Sequence, residues 1–202
     1  MLTLNLDSHH PASILGNIHT QISPGDHICL LGPSGIGKTT LLNHMAGLIA
    51  GIPNHTIQYA PDIKVGYLFQ EHRLLPWRSI RQNIMLVGCS AAEAEQLLFR
   101  VGLAQDVEKF PDSLSLGMAR RAALARCLAV KPDLLLLDEP FASLDNDRAT
   151  SLRYLIHDLL KESPHMAMIC VTHDPQDAEH LANRLWHLEG TPAQLVSDQR
   201  ID

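Results

Sequence analysis

The sequence predicts an α/β protein built on a mostly parallel sheet, and three segments carry that prediction. Ile28-Cys29-Leu30-Leu31 is a short apolar run that leads into a glycine-rich stretch, after which Lys38 to Leu48 has helical periodicity. Leu134-Leu135-Leu136-Leu137 ends in Asp138-Glu139-Pro140, and Met166 to Val171 ends in Thr172-His173-Asp174. Apolar runs without polar alternation suit strands covered on both faces. All three place their polar residues at the carboxyl end, where open α/β sheets bind ligands.

The other elements follow in chain order. The N-terminal segment supplies an antiparallel β edge. From roughly 71 to 130 the texture changes: Ala91 to Val101 and Ser115 to Ala129 read as helices, with no strong strand between them. This predicts a helical subdomain, approximately 71–130, inserted into a single domain spanning 1–202. Leu185 to Leu188 reads as a strand, and the 12 residues after Gly190 leave no room for a further domain. With 202 residues, 46% of them hydrophobic, the chain can bury a sizeable core.

Composition narrows the function. Lys plus Arg total 16 against 22 Asp plus Glu, a formal charge of −6, which argues against binding to nucleic acid through a basic surface. No apolar run approaches the ~18 residues that span a bilayer, and Met1 to Leu6 lacks the positive flank of a signal peptide. Cys29, Cys89, Cys127 and Cys170 lie far apart and read as buried thiols of a reducing compartment. The 12 histidines include no His-Glu-x-x-His run. His173, His180 and His187 recur every seven residues, but the strand at Leu185 to Leu188 breaks that face. A metal held by protein ligands alone is therefore not predicted.

The chemistry resides in a few short motifs. Gly32-Pro33-Ser34-Gly35-Ile36-Gly37-Lys38-Thr39-Thr40 fits G-x-x-x-x-G-K-[ST]. Its glycines let backbone N–H groups wrap phosphate oxygens, and the helix from Lys38 adds its N-terminal dipole. Lys38 reaches the β- and γ-phosphates of a nucleoside triphosphate, and the Thr39 hydroxyl ligates Mg²⁺. Asp138, at the end of an apolar strand, stands where a P-loop protein needs a carboxylate for that Mg²⁺. Glu139 points elsewhere by strand alternation and can act as general base on a water. Leu114-Ser115-Leu116-Gly117-Met118 opens an Ala-rich helix. Ser115 is there either a plain N-cap or, with Gly117, part of a second anion site. One chain has no obvious need for two such sites, but two chains packed head to tail sandwich ATP between them.

These residues resemble the ATP-binding subunit of ABC transporters over nearly the whole chain. Gly32 to Thr40 is similar to that family's Walker A motif, and Leu134 to Pro140 to its Walker B. Gln70, in Tyr67-Leu68-Phe69-Gln70, resembles the Q-loop glutamine that serves Mg²⁺ and the attacking water. Leu114 to Met118 resembles the signature motif LSGGQ, with Leu116 and Met118 replacing its Gly and Gln. Ser143-Leu144-Asp145 resembles the D-loop, and His173 the switch histidine that contacts the γ-phosphate. The family's adenine-stacking aromatic is absent, and the resemblance leaves His9 or His10 at that place.

The resemblance implies a P-loop fold of the ABC-cassette type and ATP hydrolysis with Mg²⁺ in a head-to-tail dimer, with itself or with a second ATP-binding subunit. It also implies attachment to a membrane-spanning permease at the cytoplasmic face of the inner membrane. Leu74-Leu75-Pro76-Trp77, after the Q-loop glutamine, is similar to importers of nitrate, sulfonates, taurine and thiamine-like compounds. That segment either displays a permease-docking patch or packs the helical subdomain. A non-transport ABC ATPase and a simple P-loop kinase are the alternatives. The kinase leaves Leu114 to Met118 and His173 unexplained, and the non-transport ATPases generally carry coiled-coil insertions or a second cassette.

Overall fold

The computed structural model describes residues 1–6, 14–49 and 57–201, and within them the three apolar runs lie side by side in one sheet. In chain order the elements are β1 (Leu2–Leu6), β2 (Ile18–Ile22), β3 (His27–Leu31), α1 (Lys38–Met45), β4 (Ile57–Tyr59) and β5 (Val65–Leu68). Three helices follow, α2 (Ile80–Met85), α3 (Ala91–Arg100) and α4 (Leu116–Ala129), before β6 (Leu134–Asp138). The chain continues through α5 (Asn146–Glu162), β7 (Ala167–Val171), α6 (Pro175–Leu181), β8 (Arg184–Glu189) and β9 (Gln194–Arg200).

The core sheet has the order β5-β6-β7-β3-β8-β9, and its pairings are parallel except β8 with β9. Every residue of β6 and β7 is buried, because both faces of the sheet are covered. Leu135, Leu137, Met168 and Cys170 face the layer that includes α2 to α5. Leu134, Leu136, Ile169 and Val171 face α1 and the N-terminal strands. The chain is thus the expected α/β protein with a mostly parallel core sheet.

The N-terminal segment is antiparallel as expected, but it forms a sheet of its own. β1 pairs with β2 and β4 in a separate three-stranded sheet, and the antiparallel edge of the core sheet is β9, from the C-terminal segment. The cause is the one-sided pattern of β1: Leu2, Leu4 and Leu6 are buried, so it makes a covering layer over the core sheet and not a rim. Cys89 is only half-buried, unlike the other three cysteines. Cys29 and Cys170, remote in sequence, become register partners on β3 and β7.

The helices between β5 and β6 are held by local chemistry. Ser79 accepts from Gln82 N and the Gln82 side chain accepts from Ser79 N, a reciprocal cap at the start of α2. The fully buried Asn83 side chain accepts from Leu75 N at 2.7 Å and donates to Leu75 O, Arg78 O and Ser79 O. Leu74 is thereby tucked into the core while Trp77 stays 70% exposed. Ser79→Ala removes one side of the cap, with an expected cost of about 1 kcal/mol. A lowered urea midpoint with an unchanged m-value checks this.

Candidate functional site

The Gly-rich loop between β3 and α1 has the conformation that its glycines permit. Gly32 and Gly37 take φ of +147° and +113°, and a Cβ on either would meet a neighbour at 2.7 or 2.8 Å, Leu188 O and Ile14 Cγ2 respectively. Lys38 begins α1, is 7% exposed, and donates from Nζ to Gly32 O (2.7 Å) and Pro33 O (2.8 Å). The ammonium thus ties the loop into a ring and keeps its third N–H. Burial lowers the Lys38 ammonium from its ordinary value, while Glu139 and Asp138 oppose that shift. Pro33, Ser34 and Gly35 are exposed at the lip of the loop.

Strand β6 delivers Asp138 directly to this loop. Thr39 Oγ1 donates to Asp138 Oδ1 at 3.1 Å, and the Tyr67 hydroxyl donates to Asp138 Oδ2 at 3.5 Å. Burial raises the Asp138 carboxyl above the usual carboxylate range, and Glu139 adds to the shift against the Thr39, Tyr67 and Lys38 contacts. A hydroxyl and a buried carboxylate, crowded by a second carboxylate, form an oxygen donor set that suits a hard divalent cation such as Mg²⁺. No group of three or more His, Cys, Asp or Glu side chains suited to hold a metal occurs among the described residues. Phosphate oxygens and water would therefore complete such a shell.

Glu139 leaves the sheet in a left-handed conformation, φ +46°, and its side chain is half-buried. Gln70, two residues beyond β5, donates from Nε2 to Glu139 Oε2 at 3.3 Å. A cleft of about 330 Å³ is lined by Ser34, Gly35, Lys38, Thr39, Gln70 and Glu139. Gln70 and Glu139 also line a neighbouring cleft of about 660 Å³, which His173 reaches from the end of β7. Next to His173, Thr172 donates to Asp177, whose other oxygen accepts from Arg153 Nε at 2.8 Å and Nη2 at 2.6 Å.

Other expected site residues lie apart. Ser115 accepts from Met118 N as the cap of α4. With Gly117 it lines a third cleft of about 290 Å³, beside Arg121 and Arg148 and shared with none of the Walker A residues. Asp145 caps α5 by accepting from Arg148 N at 2.9 Å, and it lines none of these three clefts. His9 and His10 lie outside the described residues. The sequence reading missed Tyr67, although strand alternation places it on the Asp138 side of β5. It also missed Ile14, an apolar side chain 57% exposed at the mouth of the P-loop cleft.

Known proteins resemble this chain over most of its length. The sequence model described as ABC transporter matches residues 15–142. The chain is 40% identical over 199 residues to the aliphatic sulfonates import ATP-binding protein SsuB 2 of Burkholderia cenocepacia, covering 94% of this chain and 73% of that protein. It is 37% identical to SsuB of Bacillus subtilis, covering 91% and 75% of the two chains. The uncharacterized ABC transporter ATP-binding protein YtlC of Bacillus subtilis is 40% identical, with 89% and 74% covered. Among solved structures, the dimeric post-hydrolysis state of the ATP-binding cassette MJ0796 bound to ADP and Pi superimposes with a TM-score of 0.81 at 24% identity. That match covers 100% of this chain and 99% of the other and establishes likeness of fold.

Proposed function

Since the chain belongs to the ABC transporter family, we propose that it is the ATP-binding and ATP-hydrolysing subunit of an importer and works as a head-to-tail pair. The observation that carries this reading is the convergence of Lys38, Thr39, Gln70 and Glu139 on one cleft, with Ser115 and Gly117 opening onto another. A second copy, or a second ATP-binding subunit, brings its own Ser115 and Gly117 to complete the site.

Each residue then has a defined task. The amides of Ser34 to Thr39 and the Lys38 ammonium bind the phosphates of ATP. Thr39 and Asp138, with Gln70, would hold Mg²⁺, which would supply positive charge to neutralise the charge that develops on the phosphates. Glu139 takes the proton of the attacking water, and Gln70, already bonded to Glu139, keeps that carboxylate in place. His173 contacts the γ-phosphate from the adjoining cleft, and Asp145 sets the start of α5 at the junction with the partner. Cleavage removes the group that links the two halves, and they separate.

The segment 71–130 serves as the helical subdomain of a single domain spanning 1–202 and carries that motion to a permease. Trp77, held out by the Asn83 network, is the exposed apolar side chain at the proposed contact. No helix among the described residues is long and apolar enough to cross a membrane. As the import ATP-binding subunit of such a transporter, the chain would sit peripherally at the cytoplasmic face, attached through its permease. The relatives named for aliphatic sulfonate import support a small organic sulfonate as cargo, and the net charge of −6 argues against a part for nucleic acid.

The test is ATPase activity against protein concentration, with and without Ser115→Arg. Activity that rises more than linearly and falls at least about tenfold in the variant, a loss of some 1.4 kcal/mol of transition-state stabilisation or more, is expected. Activity linear in protein and indifferent to Ser115 would instead describe a monomeric P-loop enzyme.

A further inference from the structure

Helix α4 grips both loops that flank the catalytic cleft. Arg126 donates to Arg73 O (2.8 Å) and His72 O (3.0 Å), just beyond Gln70. Arg120, earlier on the same helix, donates from Nη2 to Ala142 O at 3.4 Å, just beyond Glu139. Arg120 is 4% exposed, and its Nε and Nη1 are buried without a hydrogen-bond partner among the described residues. A guanidinium has five N–H donors, and burying it on one long contact is costly unless a carboxylate answers its charge. The charges that act on it are Glu139 and Asp138, which oppose the lowering of its pKa by burial. The Arg120 and Arg126 charges also act on His72, whose basicity burial lowers first and these charges lower further, against Glu71.

The turn that Arg120 touches is strained. Glu139 and Ser143 take φ of +46° and +63°, the left-handed region, although both carry side chains. Such residues persist only where their surroundings over-determine them. Glu139 N donates to Val171 O (3.1 Å), Ala142 N to Glu139 O (3.2 Å) and Leu144 N to Phe141 O (3.2 Å). Arg120 adds a contact to the same turn from a different element.

We propose that Arg120 is a positioning residue that clamps the strained Glu139–Ser143 turn from α4, holding the Glu139 carboxylate beside Gln70 and fixing the approach to Asp145. The helix that begins at Ser115 is thereby tied to the general base of its own chain, so each half of the composite site senses the other. The proposal deepens the ATPase reading and rests on it for the role of Glu139.

The test uses Arg120→Met and Arg120→Lys in the full chain. Replacing a poorly paired buried charge by an apolar side chain of similar length is often neutral or stabilising, so Arg120→Met is expected to keep or raise Tm. Its kcat should nevertheless fall on the order of tenfold to a hundredfold, as for a misplaced catalytic group, with KM for ATP unchanged. Hydrogen exchange of amides 142–145 in the nucleotide-free chain should accelerate while α1 amides stay as in the parent, and Arg120→Lys should restore part of both effects. Parental exchange at the turn in Arg120→Met would overturn the clamp, whatever happens to kcat. A uniform acceleration with a lowered Tm would also overturn it, marking a packing residue only. If the parent chain hydrolysed no ATP while the turn still loosened in Arg120→Met, the ATPase reading would fail and the clamp would stand.

Discussion

Glu139→Gln is expected to reduce ATP turnover by about two to four orders of magnitude, the usual contribution of a positioned general base, while ATP binding is little changed. The two side chains have nearly the same shape, so the turn at φ +46° and the contact to Gln70 can persist. An amide, however, cannot take the proton of the attacking water. Binding rests on other groups, the P-loop amides, Lys38 and the Thr39–Asp138 pair, which the substitution leaves in place. Stalled hydrolysis leaves the linking phosphate uncleaved, so the paired form should accumulate with ATP and be visible by size-exclusion chromatography. Parental turnover in Glu139→Gln would remove Glu139 from the role of base and direct attention to His173, which lines the neighbouring cleft.

The parts of this site that could be read in advance are those encoded in contiguous residues. Gly32 to Thr40 states its own conformation, since its glycines, its lysine and the apolar strand before it leave little choice of turn. The four leucines of β6 name a strand buried on both faces and so deliver Asp138 to the edge where the loop sits. Ser115 was legible as a cap for the same reason, because capping is a local bond to Met118 N.

What was not legible depends on elements meeting across the fold. The alternation of β1 suits a covering layer, but that it pairs with β4, and that β9 supplies the antiparallel edge, follows from which strands find each other. Leu74 and Trp77 share one apolar segment, yet the first is buried and the second exposed, and the difference is set by Asn83, which reaches back to Leu75. Arg120 falls within the helix expected over Ser115 to Ala129, and nothing in the sequence sets it apart. Only the packing of α4 against the Glu139–Ser143 turn turns it inward.

The second large effect is expected from Asp177→Asn. Arg153 and Asp177 have side chains 7% and 1% exposed, and the carboxylate accepts from two guanidinium nitrogens and from the Thr172 hydroxyl. Removing its charge leaves Arg153 buried with only Asp174, at 3.8 Å, to answer it. Breaking a buried pair from one side costs about 3–5 kcal/mol, which for a chain of this size lowers Tm by roughly 6–20 °C. The double variant Arg153→Met with Asp177→Leu removes both charges, and its stability should return to near the parent's, since an apolar pair of similar volume replaces an ion pair at little cost. Turnover should not return with it. Thr172 immediately precedes His173, and without Asp177 its hydroxyl keeps only the bond that it accepts from Asp174 N at 3.1 Å, so in the proposed mechanism His173 loses part of its anchor even in a stable protein. Recovery of Tm without recovery of kcat would separate placement of His173 from stability. Recovery of both would make the pair a purely structural bond between α5 and α6.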